Sequence, residues 1–125
     1  MAARTTPTRT DDAADEAVND IRLRGRLAAV ATARELPSGD EVVTFRLVVD
    51  RPARARRSAA SARVDTLDCA AFASGVRRRS QQWRAGDVLE VQGSLRRRFF
   101  RTGGGPASRY EVEVESATRV ARAPA

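Results

Sequence analysis

Histidine and lysine are absent from this 125-residue chain, and cysteine occurs once. Without histidine there is no Ser–His or Cys–His nucleophilic system and no imidazole to ligate a metal. The single thiol, Cys69, forms neither an internal disulfide nor a thiolate cluster, which points to a reducing compartment, the cytoplasm. Long apolar runs are also missing: the longest are about five residues, against the roughly 20 a membrane-spanning helix needs, so no membrane partner is expected. The opening MAARTTPTRT leads into DDAADE and not into an apolar stretch, so it reads neither as a secretory signal nor as a mitochondrial transit peptide. Asp65 and Asp68, three residues apart on a basic stretch, make a poor acid–base or metal pair. Neither an enzyme activity nor a cofactor is expected.

What is present is arginine. All 23 basic residues are arginine, against 16 acids, for a net charge of +7 and an isoelectric point near 11.3. Apolar residues make up 42% of the chain, enough for the core of one modest domain. A basic, single-domain protein of this kind suits a polyanionic partner.

The charge is unevenly spread. Residues 1–20 hold two arginines and five acids (Asp11, Asp12, Asp15, Glu16 and Asp20), a local charge of −3 that leaves +10 on the remainder. Lacking large apolar residues, 1–18 reads as a disordered acidic leader, 19–120 as the folded domain and 121–125 as a disordered end. Three clusters carry the basic excess. Arg51, Arg54, Arg56, Arg57 and Arg63 lie with no acid between them; Arg77, Arg78 and Arg79 form a triplet; Arg96, Arg97, Arg98 and Arg101 enclose Phe99 and Phe100. The triplet reads equally well as a solvated helix face, and an all-arginine, alanine-rich composition is also what a GC-rich genome writes. Glu111, Glu113 and Glu115 can pair across a hairpin with the third cluster and absorb part of its charge.

Period-2 alternation marks strands. Ile21, Leu23, Gly25 and Leu27 alternate with arginines, and Val43, Phe45, Leu47 and Val49 alternate across a second strand after the turn Leu36–Asp40. The stretch 51–63 has no apolar face and reads as a long exposed loop. A third strand is predicted from Val64 to Phe72, with Leu67, Cys69 and Ala71 on one side and Thr66, Asp68, Ala70 and Phe72 on the other. Val76, Ser80 and Trp83 fall at helical spacing and predict a helix over Ser74–Arg84, with Trp83 as its core anchor. Cys69 reads as a small buried hydrophobe. A fourth strand, Val88–Arg101, turns at Gly103–Pro106 into a fifth, Arg109 to about Val120. Alternation makes one of Phe99 and Phe100 a core residue and the other exposed, with Phe100 the exposed one. Five strands with one helix between the third and fourth is the order of the oligonucleotide/oligosaccharide-binding (OB) barrel, an all-β fold that binds ligands across strands two and three.

The residues Asn19–Leu27, Leu36–Gly39 with Val42–Leu47, Ala85–Arg98 and Arg109–Val114 stand in an order and spacing that resembles the bacterial single-stranded-DNA-binding proteins. The resemblance implies single-stranded DNA as the partner, bound without sequence preference by base stacking and arginine–phosphate contacts, in replication, repair or recombination at the nucleoid. It implies stacking roles for Phe72 and Phe100 and basic contacts from Arg96 and Arg98. Arg26, Arg51, Arg54, Arg56, Arg57 and Arg84 complete the expected binding set. It also implies a homo-oligomer, tetramer or dimer. Three positions depart from the family pattern: Thr66 and the loop after Asp50 stand where further aromatics are usual, and Asp68 is acidic where a base is usual. The end at Arg119–Ala125 lacks the family's acidic, phenylalanine-tipped tail, so tail-mediated recruitment of replication enzymes is not expected. The alternatives are an OB-fold protein-interaction module of primosome type and an RNA-binding barrel, because stacking and phosphate contacts serve RNA equally.

Overall fold

The computed structural model describes residues 15–124. The expected leader, 1–18, lies outside them apart from 15–18, which are exposed. Six strands and one helix follow: β1 (Ile21–Leu27), β2 (Thr32–Glu35), β3 (Glu41–Asp50), β4 (Val64–Ala71), α1 (Ser74–Ser80), β5 (Val88–Thr102) and β6 (Gly105–Ala121). They form one sheet in the order β1-β5-β6-β4-β3-β2, and β1 pairs back onto β3 through Arg26↔Val48 and Leu27↔Leu47, which closes the barrel. All pairings are antiparallel except β4–β6.

The all-β OB barrel is as expected, with one correction of strand count. The first strand is two segments. β1 serves β5, the chain breaks at 28–31, and β2 then lies on β3 from Thr32↔Thr44 to Glu35↔Glu41. All four β2 residues are exposed, so hydrogen bonds alone hold the segment and no apolar alternation announces it. The helix keeps its place in the chain but stops at Ser80, four residues short of the expected end. Beyond it, N–H groups at Gln82 and Trp83 reach back three residues to Arg79 and Ser80. This tighter turn drives Trp83 into the core.

The core faces of the strands meet in one cluster that includes Leu27, Phe45, Leu47, Trp83, Leu89, Val91, Val112 and Val114. Cys69 lies within it, and burial pushes its thiol up to about 12, so it is an inert core residue. Gly93 sits at an irregularity of the β5–β6 ladder, where a Cβ would collide with the Glu113 carbonyl oxygen; only glycine allows the two backbones so close. Gly39 closes the β2–β3 turn at φ +93°, donating its N–H to the Leu36 carbonyl.

Two tethers frame the barrel. Asn19 stands just before β1, and its side-chain amide donates to the Leu95 carbonyl and accepts from the Leu95 N–H, both at 2.8 Å. Asp87, buried in the turn after α1, accepts from the N–H groups of Arg84 (2.8 Å) and Ala123 (2.7 Å). The residues just past Val120 differ from the disordered end that the sequence predicts: β6 runs to Ala121, and the Ala123 N–H donates to Asp87.

Candidate nucleic-acid interface

Register assigns the side chains of the outer face. Thr44 opposes Ala70 and Arg46 opposes Asp68 across β3–β4; Ala70 opposes Glu113 across β4–β6; Arg96 opposes Glu111 and Arg98 opposes Arg109 across β5–β6. Because partners share a face, Arg34, Thr44, Arg46, Asp68, Ala70, Phe72, Arg96, Arg98, Phe100, Arg109, Glu111 and Glu113 line one surface outside the core. Val42 and Ala70, buried but outside the core cluster, form its floor.

On this surface the two expected stacking residues border one groove. Phe72 is 37% exposed and Phe100 42%, and both border a groove of about 500 Å³ with Arg98, Arg109 and Glu111. The Arg98 guanidinium lies over the Phe72 ring at 5.7 Å, and that of Arg109 over Phe100 at 5.7 Å. A second hollow of about 370 Å³, sharing Arg34, Thr44, Arg109 and Glu111, continues the groove toward Arg46 and Asp68.

Phe99 is not the core residue that alternation predicts. It is 75% exposed, because the β5–β6 hairpin overhangs the barrel and its inner face has nothing to cover it. There Arg97 lies between the rings of Phe99 (5.2 Å) and Tyr110 (5.6 Å) and donates to the Ser108 hydroxyl. The chain thus carries an aromatic–guanidinium cluster on each side of one hairpin.

Acids hold many of the expected phosphate contacts. Arg98 donates to Glu111 at 2.7 Å and to Glu113 at 2.8 Å, and Arg96 lies 3.5 Å from Glu113, so two of the three glutamates of β6 do pair across the hairpin. These hydrogen bonds raise the Arg98 pKa further and keep it charged. Arg46 is paired with Asp68, Arg26 with Asp50 and Arg51 with Asp65. The Arg51 hydrogen bond holds the Asp65 carboxyl below its ordinary value. Among the described residues, Arg34, Arg54, Arg56, Arg57 and Arg84 have no carboxylate partner.

The expected set therefore divides. Phe72, Phe100 and Arg98 converge on the groove, with Arg96 beside them. Arg54, Arg56 and Arg57 stand on the loop at the far end of the β3–β4 ladder, and Arg84 lies in the turn after α1. In the loop, Arg56 and Arg63 line a hollow of about 260 Å³ with Ser58 and Ser61, and the buried Arg56 Nε has no hydrogen-bond partner. Sequence reasoning missed Arg34, Arg46 and Arg109. Arg34 sits on the strand that alternation does not reveal, and the other two are isolated arginines outside any cluster.

The model of the single-strand binding protein family matches residues 18–120. Among solved structures, the chain is similar to a Plasmodium falciparum single-strand binding protein in complex with single-stranded DNA. The two are 24% identical, with a TM-score of 0.68, over 83% of this chain and 94% of that one. No curated protein matches the sequence.

Proposed function

Because the chain belongs to the single-strand binding protein family, we propose that it binds single-stranded DNA with little regard to sequence. Bases stack on Phe72 and Phe100, and phosphates meet arginine. The observation that carries this reading is the convergence of the two rings, with Arg98 and Arg109, on one groove. Every base has a π face, so such platforms are tolerant of sequence. Arg34, Arg54, Arg56, Arg57 and Arg84, which have no acid partner, supply the phosphate contacts, and Arg26, Arg51 and Arg96 join as their acids release them. The role is to cover exposed strands in replication, repair or recombination, at the nucleoid.

A homo-oligomer, dimer or tetramer, belongs to the same proposal. It is supported by the edge of β1 over 21–25, which β3 leaves unpaired, and by exposed Leu95, Phe99 and Tyr110 on the overhanging hairpin. Light scattering with and without a strand of about 35 nucleotides measures the stoichiometry.

The deciding experiment is an anisotropy titration of labelled oligo-dT at several salt concentrations, with duplex DNA and oligo-U alongside. Affinity for oligo-dT that falls with salt and exceeds that for duplex is expected. Equal or better duplex binding, or a flat salt response, overturns the proposal. A clear preference for oligo-U makes this an RNA-binding barrel. A stoichiometric protein partner that survives nuclease, with no oligonucleotide bound, makes it an interaction module.

A further inference from the structure

We infer that Glu111 is the positioning residue of the groove, holding two guanidiniums over two phenylalanines so that bases meet preassembled stacking layers. The inference rests on the single-strand binding reading above. It begins from an anomaly: an acid only 7% exposed lies in a groove that is to receive a polyanion. A carboxylate so placed persists only if it is well partnered. The two oxygens of Glu111 face two different arginines. Oε1 accepts from Arg98 Nε at 2.7 Å, and Oε2 lies 3.8 Å from Arg109 Nη2.

Each of those arginines covers a different ring, Arg98 that of Phe72 and Arg109 that of Phe100. One carboxylate therefore sets both cation–π pairs. Arg98 is held from a second side by Glu113. Both guanidiniums remain partly exposed, so their outer faces can take a base in a layer of ring, guanidinium and base. Ordering two long side chains in advance removes an entropic penalty that binding would otherwise meet. The charge of the pair is matched internally, so Arg98 and Arg109 serve bases, and phosphates run along the rim where Arg34 is unpaired.

The test is Glu111→Gln, which keeps the shape of the side chain and removes its charge, titrated with oligo-dT across a salt series. Arg109, released, becomes a phosphate contact while Glu113 still engages Arg98, and the slope of log K against log salt steepens by about 0.7. At about 1 M salt, where phosphate contacts fade and stacking remains, affinity falls roughly tenfold. A merely structural defect lowers affinity without steepening the slope. An unchanged slope, or unchanged affinity at high salt, overturns the inference while leaving the wild-type binding intact. Absence of oligo-dT binding by the wild-type protein overturns the underlying reading and this one with it. Should Glu111→Gln not fold, the double variant Arg98→Lys/Arg109→Lys decides. It keeps both charges and loses both planar faces, and the same loss at high salt is expected; no loss overturns the inference.

Discussion

The rings of Phe45 and Trp83 meet edge to face, with centroids 5.3 Å apart and planes at 78°. The contact joins a central strand of the barrel to the turn after α1, and both side chains are 5% exposed. Trp83→Ala removes the largest side chain of this junction, and a loss of about 3–5 kcal/mol is expected. Trp83 is the only tryptophan, so the unfolding is followed in urea by circular dichroism and not by fluorescence. Trp83→Phe, which keeps a ring against Phe45, is expected to lose much less.

Phe100 lies outside the core cluster, so its removal separates binding from folding. Phe100→Ala is expected to weaken oligo-dT binding by about 1–3 kcal/mol, the typical value of one stacking platform. Its melting temperature is expected to match that of the parent. Phe72→Ala follows the same pattern. A titration beside a thermal melt checks both, and a binding loss that tracks lost stability removes the residue from the site.

The loop arginines are expected to act through charge. Arg54 and Arg57 have no carboxylate partner, whereas Arg26 and Arg51 are paired with Asp50 and Asp65. The double variant Arg54→Ala/Arg57→Ala is expected to flatten the slope of log K against log salt by about 1.4, two phosphate contacts' worth. Arg26→Ala and Arg51→Ala each change it by less than about 0.7, since each must leave its acid to reach a phosphate. Titrations of the three variants at matched salt concentrations measure the difference.

Acid is expected to unfold the barrel through Asp87. The N–H groups of Arg84 and Ala123, with Arg119 nearby, hold its carboxyl below the ordinary 3.8. A folded-state pKa below the unfolded one means that the folded protein binds fewer protons. The associated stability is present above the unfolded value and is lost as pH falls through the lowered one. Asp65 and Glu90, lowered by Arg51 and by Arg24 with Arg22, act in the same direction. Melting temperature is therefore expected to hold from about pH 7 to about pH 4 and fall below that, and to fall less steeply in Asp87→Asn. Thermal melts across that range check the sign.

Alternation made β1, β3, β4, β5 and β6 legible because each sends a run of alternate residues into the core, as Val43, Phe45 and Leu47 or Val112 and Val114 do. Thr32–Glu35 was not, because it buries none and is a strand only through its partners on β3. Phe99 shows a second limit. Period 2 says which side a residue faces, and whether that side is covered depends on how far a hairpin projects past the barrel. The family resemblance names Phe72 and Phe100 as stacking candidates, and both lie partly exposed beside one groove. The pairing of Arg98 with Glu111, and of Arg51 with Asp65, needs the strands in register and then the side chains in place. A net charge read from composition counts the arginines and does not say which are already engaged.

Asn19 carries a consequence for solubility. Its amide presents a donor and an acceptor with the geometry of a peptide group, and it spends both on Leu95, the position where β1 extended by two residues would have docked. The exposed margin of β5 begins there. A foreign strand seeking to add to it finds the first slot taken and then meets Arg96, Arg97 and Arg98 in succession. The long hairpin that lines the groove is thereby kept from templating fibrillar growth along its own length.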